Sequence, residues 1–256
     1  MTMTETTAAA ARRPALDHDT AMRLAATEYD RFLALLRSLT ADDWTKPTDC
    51  PGWDVRMMAA HLLGMVEMAA SLREQRRQNK AVAARLEQHG GLFIDALTGL
   101  QVDERRAMSP AEIVARFAAR APKAAAGRRR TPGFVRRRRL PVAQDVAGQL
   151  ETWTIGYLTD VILTRDPWMH RTDIARATGA VLVLTPEHDG LLVSDVVDEW
   201  AGRHGEPFTL RLTGPAGGAW SRGTGGTALE LDAVEFCRTI SGRAAGAGLL
   251  ATQVPF

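Results

Sequence analysis

The sequence predicts a mainly α protein: a four-helix bundle followed by a small α+β unit. Three observations carry that reading. Up to about residue 180, apolar residues recur at the three-and-four spacing of amphipathic helices. Beyond it, short runs such as "EPFTLRLTG" and "TALELD" alternate with the two-residue period of strands and are bounded by glycines. No self-similarity occurs at solenoid or propeller periods. The chain has 256 residues, enough for one large domain or two small ones with a sizeable core. It divides into a loose tail at 1–16, a bundle at 17–180 and an α+β unit at 181–256.

The elements follow in order. Asp17 or Asp19 caps a first helix whose apolar positions are Leu24, Ala25, Tyr29, Phe32, Leu33, Leu36 and Leu39. "TADDWTKPTDCPGW" is a loop, broken by two prolines and a glycine. Asp54 then caps a second helix running to about Gln88. In "SPAEIVARFAARAPKAA", Ser109 is the N-cap, Pro110 the first helical residue, and Glu112 completes a capping box. A fourth helical region in 141–179 is kinked or restarted at Pro167 and closed by Gly179. This reading places no paired strands within 17–160. After 180 come a short apolar stretch, a helix from Pro186, three short strand runs and a last helix in "AVEFCRTISGR".

Composition narrows the function. The net charge of +2 gives no bulk field for a polyanion partner. Two cysteines, Cys50 and Cys237, are too few for a disulfide framework and fit a reducing cytoplasm. Both read as structural thiols, Cys50 in a turn and Cys237 in the core. No run reaches the roughly 18 apolar residues of a membrane span, and the N-terminus has no signal-peptide pattern. The stretch from Gly127 to Pro141 holds seven arginines, from Arg128 to Arg139. It reads as a solvated loop between helices; a nucleic-acid-binding or regulatory protein using this basic loop is the rival reading. His18, His89, His188 and His204 lie in polar surroundings without ligand spacing and receive no role.

The chemistry centres on His61. On a helical wheel it falls beside Met57, Met65 and Met68, away from the polar face of Arg56, Glu67, Ser71 and Glu74. A lone histidine there is most simply a core residue with one hydrogen bond. However, "RDPWMHRTD" places Asp166 and His170 at i, i+4 on one helix face, a spacing able to chelate a divalent ion. Asp166 reads equally as an N-cap before Pro167. Asp173 and Arg176 read as a surface ion pair, with support of the His170 ring as the alternative. Arg243, in "SGR", reads as a helix C-terminal cation.

The "W…P…CPGW-x-V-R…AHL" pattern over Trp44 to Leu62, with the downstream "RDPWMHRTDIARATG" and the final "LELDAVEFCRTISGR", resembles the mycothiol-dependent maleylpyruvate isomerase family, within the DinB-like bundle superfamily. The resemblance implies a metal site formed by His61, Asp166 and His170, most often holding Zn2+. Asp166 stands one methylene short of that family's glutamate. It further implies mycothiol as thiol cosubstrate, a small electrophilic substrate, either transfer or cis–trans isomerisation, and an alternative role for Arg243 as a fork facing the active site for a substrate carboxylate. Three protein ligands leave a position open for chemistry, and a cation on sulfur removes the thiol proton. A bundle that has kept the fold without the chemistry is the remaining alternative. No specific nucleic-acid partner is expected, and the sequence does not indicate an oligomeric state.

Overall fold

A computed structural model describes residues 11–256. Four long helices form the bundle: α1 (His18–Ser38), α2 (Val55–Ala70), α5 (Pro110–Arg129) and α7 (Leu163–Thr178). Between α2 and α5 lie α3 (Leu72–His89) and α4 (Phe93–Arg105), and α6 (Gly133–Arg136) is a single turn after α5. Helix α2 packs against α5, α1 against α5 and α7, and the α3–α4 pair against α2. Phe32, Met58, Leu62, Leu63, Ile113, Phe117 and Ile174 fill the bundle centre. The expected caps are present. Asp17 accepts from the Thr20 amide, Asp54 from Met57, and Ser109 and Glu112 form both halves of the capping box.

Several expectations need correction. The second helix does not run unbroken to Gln88. Ser71 adopts extended backbone (φ −152°, ψ 117°) and its hydroxyl caps α3 at the Glu74 amide, so one residue ends α2 and starts α3. Helix α4 was not anticipated. Nor is 17–160 free of paired strands: β1 (Gln144–Val146) and β2 (Gln149–Glu151) form an antiparallel hairpin. Its turn places Ala147 and Gly148 at φ 53° and 80°, the two positive values a tight two-residue hairpin turn needs. The hairpin lies in the connection after α6, outside the packed helices. Residues 1–10 of the expected loose tail lie outside the described residues. Arg12 is anchored, pairing by backbone with Thr152 and Thr154 and by its guanidinium with Glu151.

The region around Pro167 is neither restarted nor capped by Asp166. A π-helical turn (Tyr157–Ile162) leads into α7, which passes through Pro167. Proline has no N–H for the carbonyl four residues back, that of Leu163. Arg128 supplies the missing donor: Nη1 reaches the Leu163 carbonyl at 2.9 Å, and Nε and Nη2 reach the Thr159 carbonyl at 2.9 and 2.6 Å. Arg128 is buried, and Arg136 donates to Asp160 at 2.7 Å. The arginine run is therefore not simply a solvated loop: Arg128 bonds the start of α7, and Arg136 bonds the π-helical turn that leads into it.

A second π-helical turn (Pro186–Gly190) opens α8 (Leu191–His204), followed by β3 (Phe208–Thr213), β4 (Gly218–Arg222), β5 (Thr227–Asp232) and α9 (Ala233–Ile240). The sheet order is β4-β3-β5, with β3 antiparallel to β4 and parallel to β5. Phe208, Leu210 and Leu212 alternate inward against Trp200 and Phe236. Trp168 and Met169 of α7 join this same core. Buried Arg165 adds ion pairs to Asp195 and Glu199 of α8, at 2.6 and 2.7 Å. These contacts bring the segment after α9, with Arg243, to the bundle.

Candidate metal centre

The turn before α2 is set by Gly52 (φ 79°) and by the Trp53 amide donating to the Cys50 carbonyl. With Asp54 as cap, α2 carries His61 inward, where the ring is 3% exposed. On α7 the i, i+4 spacing places Asp166 and His170 on the same face. Asp166 Oδ1 lies 3.2 Å from His170 Nε2 and 3.6 Å from His61 Nε2. One donor atom from each of the three residues falls within 4.8 Å of the others. The two imidazoles meet edge to face, ring centroids 5.4 Å apart, and the Trp53 indole stands 5.4 Å from His61 and 6.4 Å from His170.

The outer nitrogens are already engaged. His170 Nδ1 donates to Asp173 Oδ2 at 3.1 Å, and His61 Nδ1 is paired with Gln101 Oε1 at 2.8 Å. Both Nε2 atoms therefore face Asp166, whose other oxygen, Oδ2, is buried without a hydrogen-bond partner among the described residues. Buried carboxylate oxygens seldom lack a partner. Two imidazole nitrogens and a carboxylate turned toward one point suit a divalent cation.

The electrostatics agree. Burial pushes the Asp166 carboxyl up, but His170 and His61 outweigh it and hold it well below the usual range. Burial pulls His170 down, yet Asp166 beside it raises the ring well above its ordinary value. A protonated ring there supplies the positive charge that a metal ion would otherwise bring.

Asp173 is not half of a surface pair. It is fully buried and holds His170, while Arg243 Nε donates to both its oxygens at 2.8 and 3.0 Å. Arg176 pairs instead with Asp49 and Glu235. Burial works against the Asp173 carboxylate, but His170 and Arg243 outweigh it and keep its carboxyl low. Arg243 thus spends its Nε on Asp173. Its Nη2 lies 3.8 Å from Cys50 Sγ, and the side chain lines a cavity of about 460 Å3 with Thr239, Gly242, Leu250 and Gln253. Cys50 is half-buried at the edge of the site, its sulfur 3.9 Å from Asp173 Oδ2, and is not enclosed as a core thiol. Cys237 is fully buried, and burial pushes its thiol well up.

Sequence reasoning missed Gln78, Gln101 and the burial of Asp173. The glutamines carry no periodic or motif signal, while Asp173 was visible as i+3 from His170. It also passed over His188, which is buried and bonds Glu28 at 2.8 Å.

A family model described as the mycothiol maleylpyruvate isomerase N-terminal domain matches residues 25–175, from α1 through most of α7. The chain belongs to this family. Two uncharacterized proteins from two strains of Mycobacterium tuberculosis are each 27% identical over 233 residues, covering 85% of this chain and 83% of the relative. Two crystal structures, of the mycothiol-dependent maleylpyruvate isomerase and of a histidine-to-alanine mutant of it, share the fold. Their TM-scores are 0.57 and 0.56, with 14% and 13% identity, covering 91% and 90% of this chain and 92% and 91% of the other. Among the described residues no helix is long and apolar enough to cross a membrane.

Proposed function

We propose that this family member is a cytoplasmic metalloenzyme that holds a divalent ion, most simply Zn2+, on His61, Asp166 and His170. It activates mycothiol, a low-molecular-weight thiol, toward a small electrophile. The observation that carries this reading is the unpartnered, buried Oδ2 of Asp166 beside two imidazole nitrogens whose outer partners are already engaged. A divalent ion bound there supplies the positive charge that makes a bound thiol anionic at neutral pH.

The chain's own residues do the rest. Asp173 fixes the His170 ring through Nδ1 and is itself held by Arg243. Trp53 stands beside both imidazoles, its indole tilted against the two rings. The guanidinium N–H groups of Arg243 that Asp173 does not use are available to a substrate carboxylate at the cavity edge. The thiolate then adds to an electrophilic carbon. Rotation and elimination, which return the thiolate, give cis–trans isomerisation; protonation of the adjacent carbanion by water and release of the adduct give transfer. The names of the solved neighbours favour isomerisation.

Elemental analysis of the purified protein, followed by calorimetric titration with mycothiol, tests the reading. One divalent ion per chain and metal-dependent thiol binding are expected, and both are lost in His61→Ala and His170→Ala. A metal-free protein that gains no stoichiometric zinc on reconstitution would refute it.

A further inference from the structure

A line of buried polar side chains runs away from His61 across three helices. Gln101 of α4 and Gln78 of α3 are both 0% exposed. Gln101 Oε1 lies 2.8 Å from His61 Nδ1, and Gln101 Nε2 donates to Gln78 Oε1 at 2.9 Å. Gln78 Nε2 donates to the Gly64 carbonyl at 3.1 Å and to Glu74 Oε1 at 3.0 Å.

The direction of this line follows from its far end. A backbone carbonyl and a carboxylate only accept, so Gln78 must turn its NH2 toward them and its oxygen toward Gln101. Gln101 must meet that oxygen with its own NH2, which also faces the weakly accepting Met65 sulfur at 3.1 Å. Gln101 is left presenting oxygen to His61, and His61 Nδ1 must carry the proton. Space for the arrangement comes from Gly64, one of the few helix-interior positions where a glycine is required. A Cβ there would stand 2.5 Å from Gln101 Cγ.

We infer that Gln78 and Gln101 are positioning residues: a one-directional hydrogen-bond relay that holds His61 as its Nδ1–H tautomer and turns the Nε2 lone pair toward Asp166. The consequence for metal binding rests on the site proposed above; the tautomer itself does not. Partners of this kind around a ligating histidine commonly set ring orientation, and their loss costs about 10–100-fold in metal affinity. Helix α4 thereby touches the site through Gln101, and α3 gains a part in it only through that residue.

The test uses the full chain, stripped by chelator and titrated with Zn2+ against a chromophoric competitor. Two-bond 1H–15N correlation of the metal-free protein, above the titration of its rings, reads the His61 tautomer. Wild type should show Nδ1–H. Gln101→Leu should weaken Zn2+ binding about 10–100-fold. Gln78→Leu, which does not touch His61, should mix the tautomers and weaken binding by a smaller factor, adding nothing in the double variant. Gln101→Met, closer in shape, replaces Gln101→Leu if that variant fails to fold. An Nε2–H tautomer in wild type would overturn the inference. So would Zn2+ binding unchanged in Gln101→Leu, or Gln78→Leu and Gln101→Leu effects that simply multiply. If wild type binds no zinc, the metal reading falls while the tautomer spectrum still decides the relay.

Discussion

Two buried clusters of histidine and carboxylate meet helix α7 at adjacent residues. His170 enters the first, with His61 and Asp166; Arg171 enters the second, with Glu28, His188 and Asp189. Both bring three potential donor atoms within 4.8 Å of one another, yet they differ in charge balance. In the second cluster, Arg171 grips Glu28 at 2.7 and 3.2 Å and Asp189 at 2.7 Å, and Arg31 reaches Asp189 at 2.5 Å. The Trp168 N–H and the Thr185 amide complete the Asp189 shell. Two carboxylates thus meet two permanent cations, and no oxygen is left over. In the first cluster Asp166 faces only titratable imidazoles, and one of its oxygens has no partner. Residue types and spacing alone therefore do not distinguish a metal site from a structural ion network. We propose that guanidinium does, because it cannot shed its charge.

The largest effects should come from breaking each cluster at its key charge. Arg171→Leu strips buried Glu28 of its permanent cation and leaves Asp189 with Arg31 alone, so urea unfolding should show a loss of about 3–5 kcal/mol, with zinc stoichiometry kept in the folded protein. Asp166→Asn should do the reverse. Zinc affinity should fall by more than about 100-fold, beyond what outer partners cost, while metal-free stability, measured above the raised titration of His170, changes by about 1 kcal/mol or less. The imidazoles there can release their protons and Arg171 cannot. Equal destabilisation by the two changes would erase the distinction.

Acid should separate the clusters as well. Burial pushes the Asp189 carboxyl up, but Arg171 and the Thr185 amide outweigh it and hold it down. A carboxyl lowered in the folded state contributes stability that is complete above its unfolded value, about 3.9, and is lost as pH falls through the folded one. Metal ligation requires neutral imidazole, with an ordinary pKa near 6.5. The His170 ring is raised well above its ordinary value, so zinc should begin to leave at a higher pH than an unperturbed imidazole would set, while near-UV circular dichroism persists to about pH 4. Coincident loss of metal and tertiary signal would show that the two clusters are not independent.

How much of this was legible in the sequence depends on range. Asp166 and His170 lie one helical turn apart, and His61 follows a distinctive turn, so local spacing and resemblance singled them out. The cap at Asp54 and the capping box at Ser109 are local too. The second cluster joins Glu28 to His188 across most of the chain, and no periodicity reports such a contact. Ser71 was assigned to a helix face because its neighbours are helical on both sides, yet a serine caps as readily as it continues. Arg128 was submerged in a charge run, although Pro167 announced an orphan carbonyl that some donor had to meet. Gln78 and Gln101 are neutral residues whose burial depends on a helix the sequence reading did not anticipate.

The smallest expected effect concerns Cys50. Its sulfur, with His170 and Asp173, also forms a group able to hold a metal ion, which makes it a rival to the site on the other side of the same imidazole. Charge balance argues against that rival. Asp173 accepts from His170 Nδ1 and is bound through both oxygens by Arg243, so a permanent cation already occupies its field. The thiol contact is long, 3.9 Å to the carboxylate, and removing it leaves both strong partners of Asp173 in place. Cys50→Ala should accordingly keep one zinc per chain, shift zinc affinity less than about threefold, and cost about 1 kcal/mol or less, as for a side chain with modest packing. Competition titration of this variant beside His61→Ala gives the answer. Loss of zinc on removing Cys50 with retention on removing His61 would move the metal to the opposite edge of the His170 ring.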